Sequence, residues 1–214
     1  RGGCVLYARY VDALDSVTAQ LGSRPDWFDH ATLQILLPPG AARNAVDCAL
    51  WDLRAKQAGC SVASLAGLGT LQAEITAETI GMGTPDEMGA RAAELSHAPL
   101  LKVKLDANDI EKRMDAIRAG APNARLIIDP NEGWDVALVS EKSSYLADIG
   151  VEMLEQPVPA SNDAGLSALN SPVPICADES LHTSDDLEAL KDKYDMVNIK
   201  LDKTGGLSEA LLLK

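Results

Sequence analysis

The stretch "PLLKVKLD", residues 99–106, sets two lysines, Lys102 and Lys104, inside what otherwise reads as a buried β-strand. Side chains at i and i+2 of a strand share a face, so both ammonium groups stand on one side of it. On a solvent surface such a pair is ordinary. Inside a barrel it is costly, because a charge taken out of water needs a partner. The rest of the chain decides between the two.

From about residue 73 the sequence repeats one pattern. Short apolar runs, "AEITAETIG", "LLKVKL", "ARLIID", "VEMLEQP", "VPICADE" and "MVNIKLD", alternate with helical stretches such as "PDEMGARAAEL", "DIEKRMDAIRAG", "SEKSSYLADIG", "AGLSALN" and "SDDLEALKDKY". Apolar runs joined by helices belong to parallel strands buried on both faces. Five runs carry a charged residue at or near the C-terminal end: Lys104, Asp129, Glu155, Asp178 and Lys200, at successive intervals of 25, 26, 23 and 22 residues. The regular interval predicts about the same height on successive βα units. In a (β/α)8 barrel the active-site residues sit at the C-terminal strand ends, so these five converge on one mouth. The fold class read here is α/β, a (β/α) barrel. Only six strand candidates precede Lys214, where a closed barrel needs eight, and the count predicts a truncated barrel over residues 73–214.

Residues 1–72 read as one short strand in "RGGCVLYARY" followed by helices, "DSVTAQL" and "AARNAVDCALWDLRAKQAG", the second closing on Gly59. The chain of 214 residues is 46% hydrophobic and carries a formal charge of −13. That balance argues against nucleic acid or an anionic membrane as partner, since phosphate rewards excess Lys and Arg. No window has the roughly 18 uncharged apolar residues of a membrane span. The four cysteines, Cys4, Cys48, Cys60 and Cys176, show no C-x-x-C pairing and read as free thiols.

Asp129, Glu155 and Asp178, from three successive strand ends, make an oxygen-rich site suited to a hard divalent cation, with Mg²⁺ the best fit. Lys104 precedes them and Lys200 follows, which around a barrel places the lysines on opposite walls. Removing the weakly acidic α-proton of a carboxylate requires stabilising the negative charge that forms, and a divalent ion supplies this. A base on one face and an acid on the other then permit inversion at carbon. Lys102, beside Lys104, is read as tuning that base through its charge or as holding the substrate carboxylate.

"KVKLD", "IIDPNEGW", "LEQPVP", "ICADES" and "VNIKLDKTGG", in this order and at these intervals, resemble the enolase superfamily, in the branch with a K-x-K motif on the second barrel strand and a lysine on the sixth. "VLYARY", "NAVDCALWDLRAK", "ITAETIGMGTPDEM" and "MVNIKLDKTGGLSEAL" look most like the dipeptide epimerases within it. The resemblance implies a modified TIM barrel with an α+β capping domain, of which residues 1–72 are a part. It implies Mg²⁺ held by Asp129, Glu155 and Asp178, with Lys104 and Lys200 as the acid/base pair. The implied reaction is epimerisation of L-Ala-D/L-Glu in the cytoplasm, in the recycling of murein peptides. Muconate cycloisomerase, o-succinylbenzoate synthase and N-acylamino-acid racemase activities share the same core residues, and an inactive truncated derivative is the remaining alternative.

Around that core, Thr79 near the end of the first strand is a candidate substrate contact together with Lys102. Asn131, Asn198 and Glu179 are candidates for orienting the ligating groups. His30, His97 and His182 read as surface residues, Asp202 and Lys203 as a solvated or functional pair, Arg9 and Tyr10 as structural, and Trp27, Trp51 and Trp134 as packing residues. A barrel open by two strands exposes edges, and a homo-oligomer is one way to bury them.

Overall fold

The computed structural model describes residues 2–5, 13–22 and 29–214. The expected first strand lies largely, and Arg9, Tyr10 and Trp27 lie wholly, outside the described residues. In chain order the helices and strands are α1 (Leu14–Gly22), α2 (His30–Leu36), α3 (Ala41–Ala58), α4 (Val62–Leu65), β1 (Glu78–Ile80), α5 (Pro85–Glu94), β2 (Leu100–Lys104) and α6 (Ile110–Gly120). They continue as β3 (Arg125–Asp129), α7 (Val136–Asp148), β4 (Val151–Glu155), β5 (Ile175–Ala177), α8 (Leu187–Leu190), β6 (Met196–Val197), α9 (Leu201–Thr204) and α10 (Leu207–Leu213). Two compact units result: one gathers the chain up to Ala73 with Leu181–Leu187 and Ile199–Lys214, the other Glu74–Ser180 with Glu188–Asn198.

In the first unit α1, α2 and α3 meet through Val17, Leu33, Leu37, Ala41, Ala42 and Val46. Helix α3 stops where the sequence places its end, because Gly59 takes φ 66° and ψ 27° and its N–H closes the last turn on Ala55 and Lys56. Polar groups tie α3 to the C-terminal helices. Buried Arg43 donates to the Thr204 carbonyl at 2.6 Å, Asn44 donates to Asp202 at 2.7 Å, and Trp51 Nε1 donates to Ser208 Oγ at 3.0 Å. His30 is not the surface residue its polar context suggests. Its Nδ1 lies 2.9 Å from Asp47 Oδ1 and 3.2 Å from Ser208 Oγ, and its ring centroid is 4.8 Å from that of Trp51. Lys203 is likewise buried rather than solvated, while Asp202 accepts from Asn44 and from the Val5 N–H.

The second unit holds one parallel sheet whose six described strands run in sequence order, β1 to β6. Alternation sorts the side chains. Ile80, Leu101, Val103, Leu126, Ile128, Leu154, Ile175 and Ala177 point one way and are all buried. The opposite face carries exposed Thr79, half-buried Lys102, Lys104, Ile127 and Met153, and the charged strand ends. The expectation of burial on both faces therefore holds for one face, because the other is where the ionic groups stand.

Helix α5 opens with a capping box: Glu87 N–H donates to Thr84 Oγ1 at 3.3 Å and the Thr84 N–H donates to Glu87 Oε2 at 2.8 Å, with Pro85 in the first turn. Asp135 caps α7 by accepting from the Leu138 N–H at 2.8 Å. Two connections expected to be helical are shorter. "AGLSALN" forms only a 3₁₀ segment, Ala164–Ala168, following a 3₁₀ turn at Ala160–Asn162. "SDDLEALKDKY" gives a 3₁₀ turn, Ser184–Asp186, and the four residues of α8.

Helices α5 and α6 approach closely at two glycines. A Cβ on Gly120 would lie 2.4 Å from the Gly89 carbonyl oxygen and 2.9 Å from the Ala93 nitrogen, both backbone atoms that move only with the helix. Gly120→Ala is expected to destabilise by about 1–3 kcal/mol, the usual cost of overpacking, read as a lowered urea midpoint with unchanged slope. A midpoint equal to wild type would show that the helices separate freely.

Candidate active site

The register of the sheet sets the heights of the charged strand ends. Lys104 is the direct partner of Asp129, and Ile128 pairs Leu154, so Asp129 and Glu155 are level. Glu155 pairs Cys176, which leaves Asp178 two residues further along its strand, or roughly 6–7 Å higher. Cys176 in turn pairs Met196, so Asn198 is level with Asp178. The charged ends of β2 to β5 are thus staggered rather than equal in height. Similar sequence intervals do not give equal heights when tilted strands carry a shear.

At the level of the lower carboxylates the side chains form one connected cluster. Lys102 Nζ stands 2.8 Å from Asp129 Oδ2 and 2.6 Å from Glu155 Oε2. Lys104 Nζ reaches the same Asp129 oxygen at 2.7 Å and donates to Asn131 Oδ1 at 2.6 Å. Asn131 donates its backbone N–H to Asp129 Oδ1 at 2.9 Å and its amide to Glu179 Oε1 at 3.4 Å. Asn198 Nδ2 donates to Glu155 Oε1 at 2.8 Å. Asp129, Glu155, Asp178 and Glu179 are all buried.

Burial opposes the charge on Lys102, but Asp129 and Glu155 more than offset it and hold the ammonium above its ordinary pKa. Burial likewise works to raise Asp129, and the two lysines outweigh it, leaving its carboxyl below the ordinary range. Glu179 goes the other way. Burial, then the neighbouring charge of Asp178, push its carboxyl up, and its Oε2 has no hydrogen-bond partner. Lys102 is therefore anchored between two carboxylates, not simply set beside Lys104 as a repelling charge.

Of the residues singled out in sequence, the sheet brings together Lys102, Lys104, Asp129, Asn131, Glu155, Glu179 and Asn198. Asp178 follows β5 directly and its backbone N–H is held by Gln156 Oε1 at 2.8 Å. Thr79 pairs Lys102 in register and is exposed. Lys200 has extended backbone, φ −111° and ψ 123°, at the start of α9, and belongs to the other compact unit. Gln156 escaped notice although it follows Glu155 directly. The signal was a polar residue between a buried carboxylate and Pro157 at a strand end.

Among the described residues no three His, Cys, Asp or Glu side chains are drawn together as a metal cluster. The Lys102 ammonium stands between two of the expected ligands. The donor set nonetheless fits a hard cation: buried carboxylates on adjacent strands of one sheet face, with positive charge already stabilised between Asp129 and Glu155. Asp129, Glu155 and Asp178 are the groups that would hold Mg²⁺.

Residues 87–213 match the family model described as enolase C-terminal domain-like, and residues 13–67 match the mandelate racemase/muconate lactonizing enzyme N-terminal domain. The chain belongs to the enolase superfamily. Within it, the L-Ala-D/L-Glu epimerase of Escherichia coli is 51% identical over 99% of this chain and 68% of its own length. An enolase-superfamily structure from Agrobacterium tumefaciens, described as homologous to dipeptide epimerases and holding sodium and L-Ala-L-Glu, superposes with a TM-score of 0.95 at 47% identity, over 99% of this chain and 66% of that one. A Cytophaga hutchinsonii dipeptide epimerase bound to Mg and D-Ala-L-Val superposes at 0.89 with 26% identity, over 98% of this chain and 63% of that one. The chain spans about two thirds of the length of these relatives. The superfamily accounts for the parallel sheet with charged strand ends as part of a modified barrel.

Removing the ammonium between Asp129 and Glu155 takes one positive charge from two buried carboxylates, although Asp129 keeps Lys104 and Glu155 keeps Asn198. In metal-free protein, Lys102→Met is expected to lose about 3 kcal/mol at pH 7.5. Lys102 is one of the two charges that hold the Asp129 carboxyl below its ordinary range; without it that carboxyl rises in the folded state, so the folded variant takes up a proton more readily and part of the loss is recovered towards pH 5. Urea unfolding at the two pH values checks this. A loss equal at both would show that the carboxylates do not depend on Lys102.

Proposed function

We propose that this chain carries the reaction core of a Mg²⁺-dependent dipeptide epimerase, which moves the α-proton of the C-terminal residue in a dipeptide such as L-Ala-D/L-Glu. One observation carries the reading: Lys104 stands on the same sheet face as the buried carboxylates, in register with Asp129 and 2.7 Å from it. The identity to the Escherichia coli epimerase and the dipeptides held by the solved relatives support the substrate class. Among the described residues no helix is long and apolar enough to cross a membrane. A cytoplasmic place in murein-peptide recycling follows from the resemblance alone.

The division of labour is as follows. Lys104, as the free amine, takes the α-proton onto Nζ, and the electron pair left on carbon spreads into the substrate carboxylate. Lys200, as the ammonium, returns a proton to the opposite face, and the roles reverse for the other enantiomer. Asp129, Glu155 and Asp178 would hold Mg²⁺, which would supply electrostatic stabilisation to the substrate carboxylate as negative charge develops there. Asn131 and Asn198 hold Lys104 and Glu155 in place, Lys102 and Thr79 contact substrate, and Glu179 braces Asn131.

Incubation of L-Ala-L-Glu in D₂O with Mg²⁺ tests this, read by loss of the α-proton NMR signal. Exchange is expected, with Lys104→Ala slower by about 10²- to 10⁴-fold, the usual weight of a positioned acid/base group. Deuterium entering N-acetylglutamate but not the dipeptide would move the assignment to N-acylamino-acid racemisation. Exchange untouched by Lys104→Ala would sink the role of that lysine.

A further inference from the structure

The residue after Glu155 has no place in the reaction, yet it is wholly buried and strained. Gln156 is non-glycine with φ 34°, in the left-handed region, which costs about 1–3 kcal/mol and persists only where surrounding structure enforces it. Its side chain shows what does so. Oε1 accepts from the Asp178 N–H at 2.8 Å and the Ser180 N–H at 3.0 Å. Backbone N–H groups can only donate, so the amide oxygen must face them and its orientation is fixed. Nε2 then points to the Val158 carbonyl at 3.0 Å, Ser180 Oγ at 2.9 Å and the Tyr194 hydroxyl at 2.9 Å. Tyr194 donates onward to Asp163 Oδ2 at 3.0 Å, and Lys193 closes the chain on Asp163 Oδ1 at 2.7 Å.

The main chain of the same residue adds two bonds. Its N–H donates to the Cys176 carbonyl at 2.8 Å, and its carbonyl accepts from the Glu132 N–H at 2.8 Å. One residue thus spans the ends of three strands: it is joined to Glu155 by a peptide bond, to Asp178 by a hydrogen bond, and to the loop that follows Asp129. Asp178 lies two residues beyond the level of Glu155 and its strand β5 is only three residues long, so the sheet ladder itself does not reach Asp178.

We propose that Gln156 is a positioning residue that sets the spacing between Glu155 and Asp178, and that the Tyr194–Asp163–Lys193 chain holds its amide in the required orientation. This rests on the reading of these carboxylates as ligands of a divalent cation. Groups that orient ligands from behind typically contribute 10- to 100-fold in metal affinity, and the contribution here is made through backbone placement rather than by contact with the ion.

The test uses Mn²⁺ as the probe, titrated into the purified metal-free protein and followed by the EPR signal of free Mn²⁺. Gln156→Met keeps the volume and removes every side-chain hydrogen bond; it is expected to weaken Mn²⁺ binding 10- to 100-fold. Tyr194→Phe, a milder change that removes one partner of the amide, is expected to weaken it at least threefold and decides the matter should Gln156→Met not fold. Gly120→Ala is the control: it lowers stability elsewhere and should leave Mn²⁺ affinity within twofold of wild type. Wild-type affinity in both the Gln156 and Tyr194 variants overturns the positioning role while the metal site stands. Equal losses in the control and the variants assign the effect to general destabilisation and overturn it too. No saturable Mn²⁺ binding by the wild-type protein overturns the metal-site reading, and the positioning role with it.

Discussion

The ammonium of Lys102 between Asp129 and Glu155 is the interaction on which the candidate site depends. Moving an ion out of water costs several kcal/mol even after the protein relaxes, and Asp129, Glu155, Asp178 and Glu179 are all buried. Two lysines meet three carboxyl groups in the connected cluster, Asp129, Glu155 and Glu179, with Asp178 beside Glu179 in the chain, so acidic groups outnumber basic ones. Burial first, and then the neighbouring charge of Asp178, push the Glu179 carboxyl up. The excess of acidic groups explains why Lys104 and Lys102 converge on one oxygen of Asp129, although like charges repel.

How far this was legible from sequence depended on whether a contact follows strand alternation. Lys104 and Asp129, 25 residues apart, prove to be register partners, and the side on which each charged residue stands follows from counting by twos. The stagger of Asp178 was hidden, because register between strands depends on tilt and on the irregularity between Leu126 and Ile127; neither leaves a mark in spacing. Short 3₁₀ segments in place of helices were hidden for another reason: over the seven residues of "AGLSALN" a period of about 3.0 and one of about 3.6 residues place the apolar positions alike. His30 had no sequence partner because Asp47 and Ser208 lie 17 and 178 residues away.

The strained backbone is concentrated where the charges are. Among the described non-glycine residues four have positive φ, and three of them, Asn131, Glu132 and Gln156, follow the ends of β3 and β4. Each turns a strand end aside so that a polar group can meet its neighbour. Asn131 brings its N–H onto Asp129; Glu132 donates its N–H to the Gln156 carbonyl, and its side chain accepts from the Ala160 N–H at 2.8 Å. Trp134, buried in the same loop, donates its N–H to the Pro157 carbonyl at 2.9 Å.

These bonds make the loops after β3 and β4 a single laced structure, and that changes how rigid the site can be. A ligand on a free loop is placed by whichever conformation the loop visits, whereas here the residues beside Asp129 and Glu155 satisfy one another's backbone groups. Opening one loop would leave buried donors and acceptors of the other unpaired, at about 1–3 kcal/mol each. The strain at three left-handed residues is of comparable size, so neither term dominates, and the site is held by their opposition: hydrogen bonds that require the turn, and a turn that relaxes if the bonds are lost. A substitution that breaks one bond therefore releases strain as well as contact. Its effect on overall stability should be smaller than its effect on where the carboxylates stand.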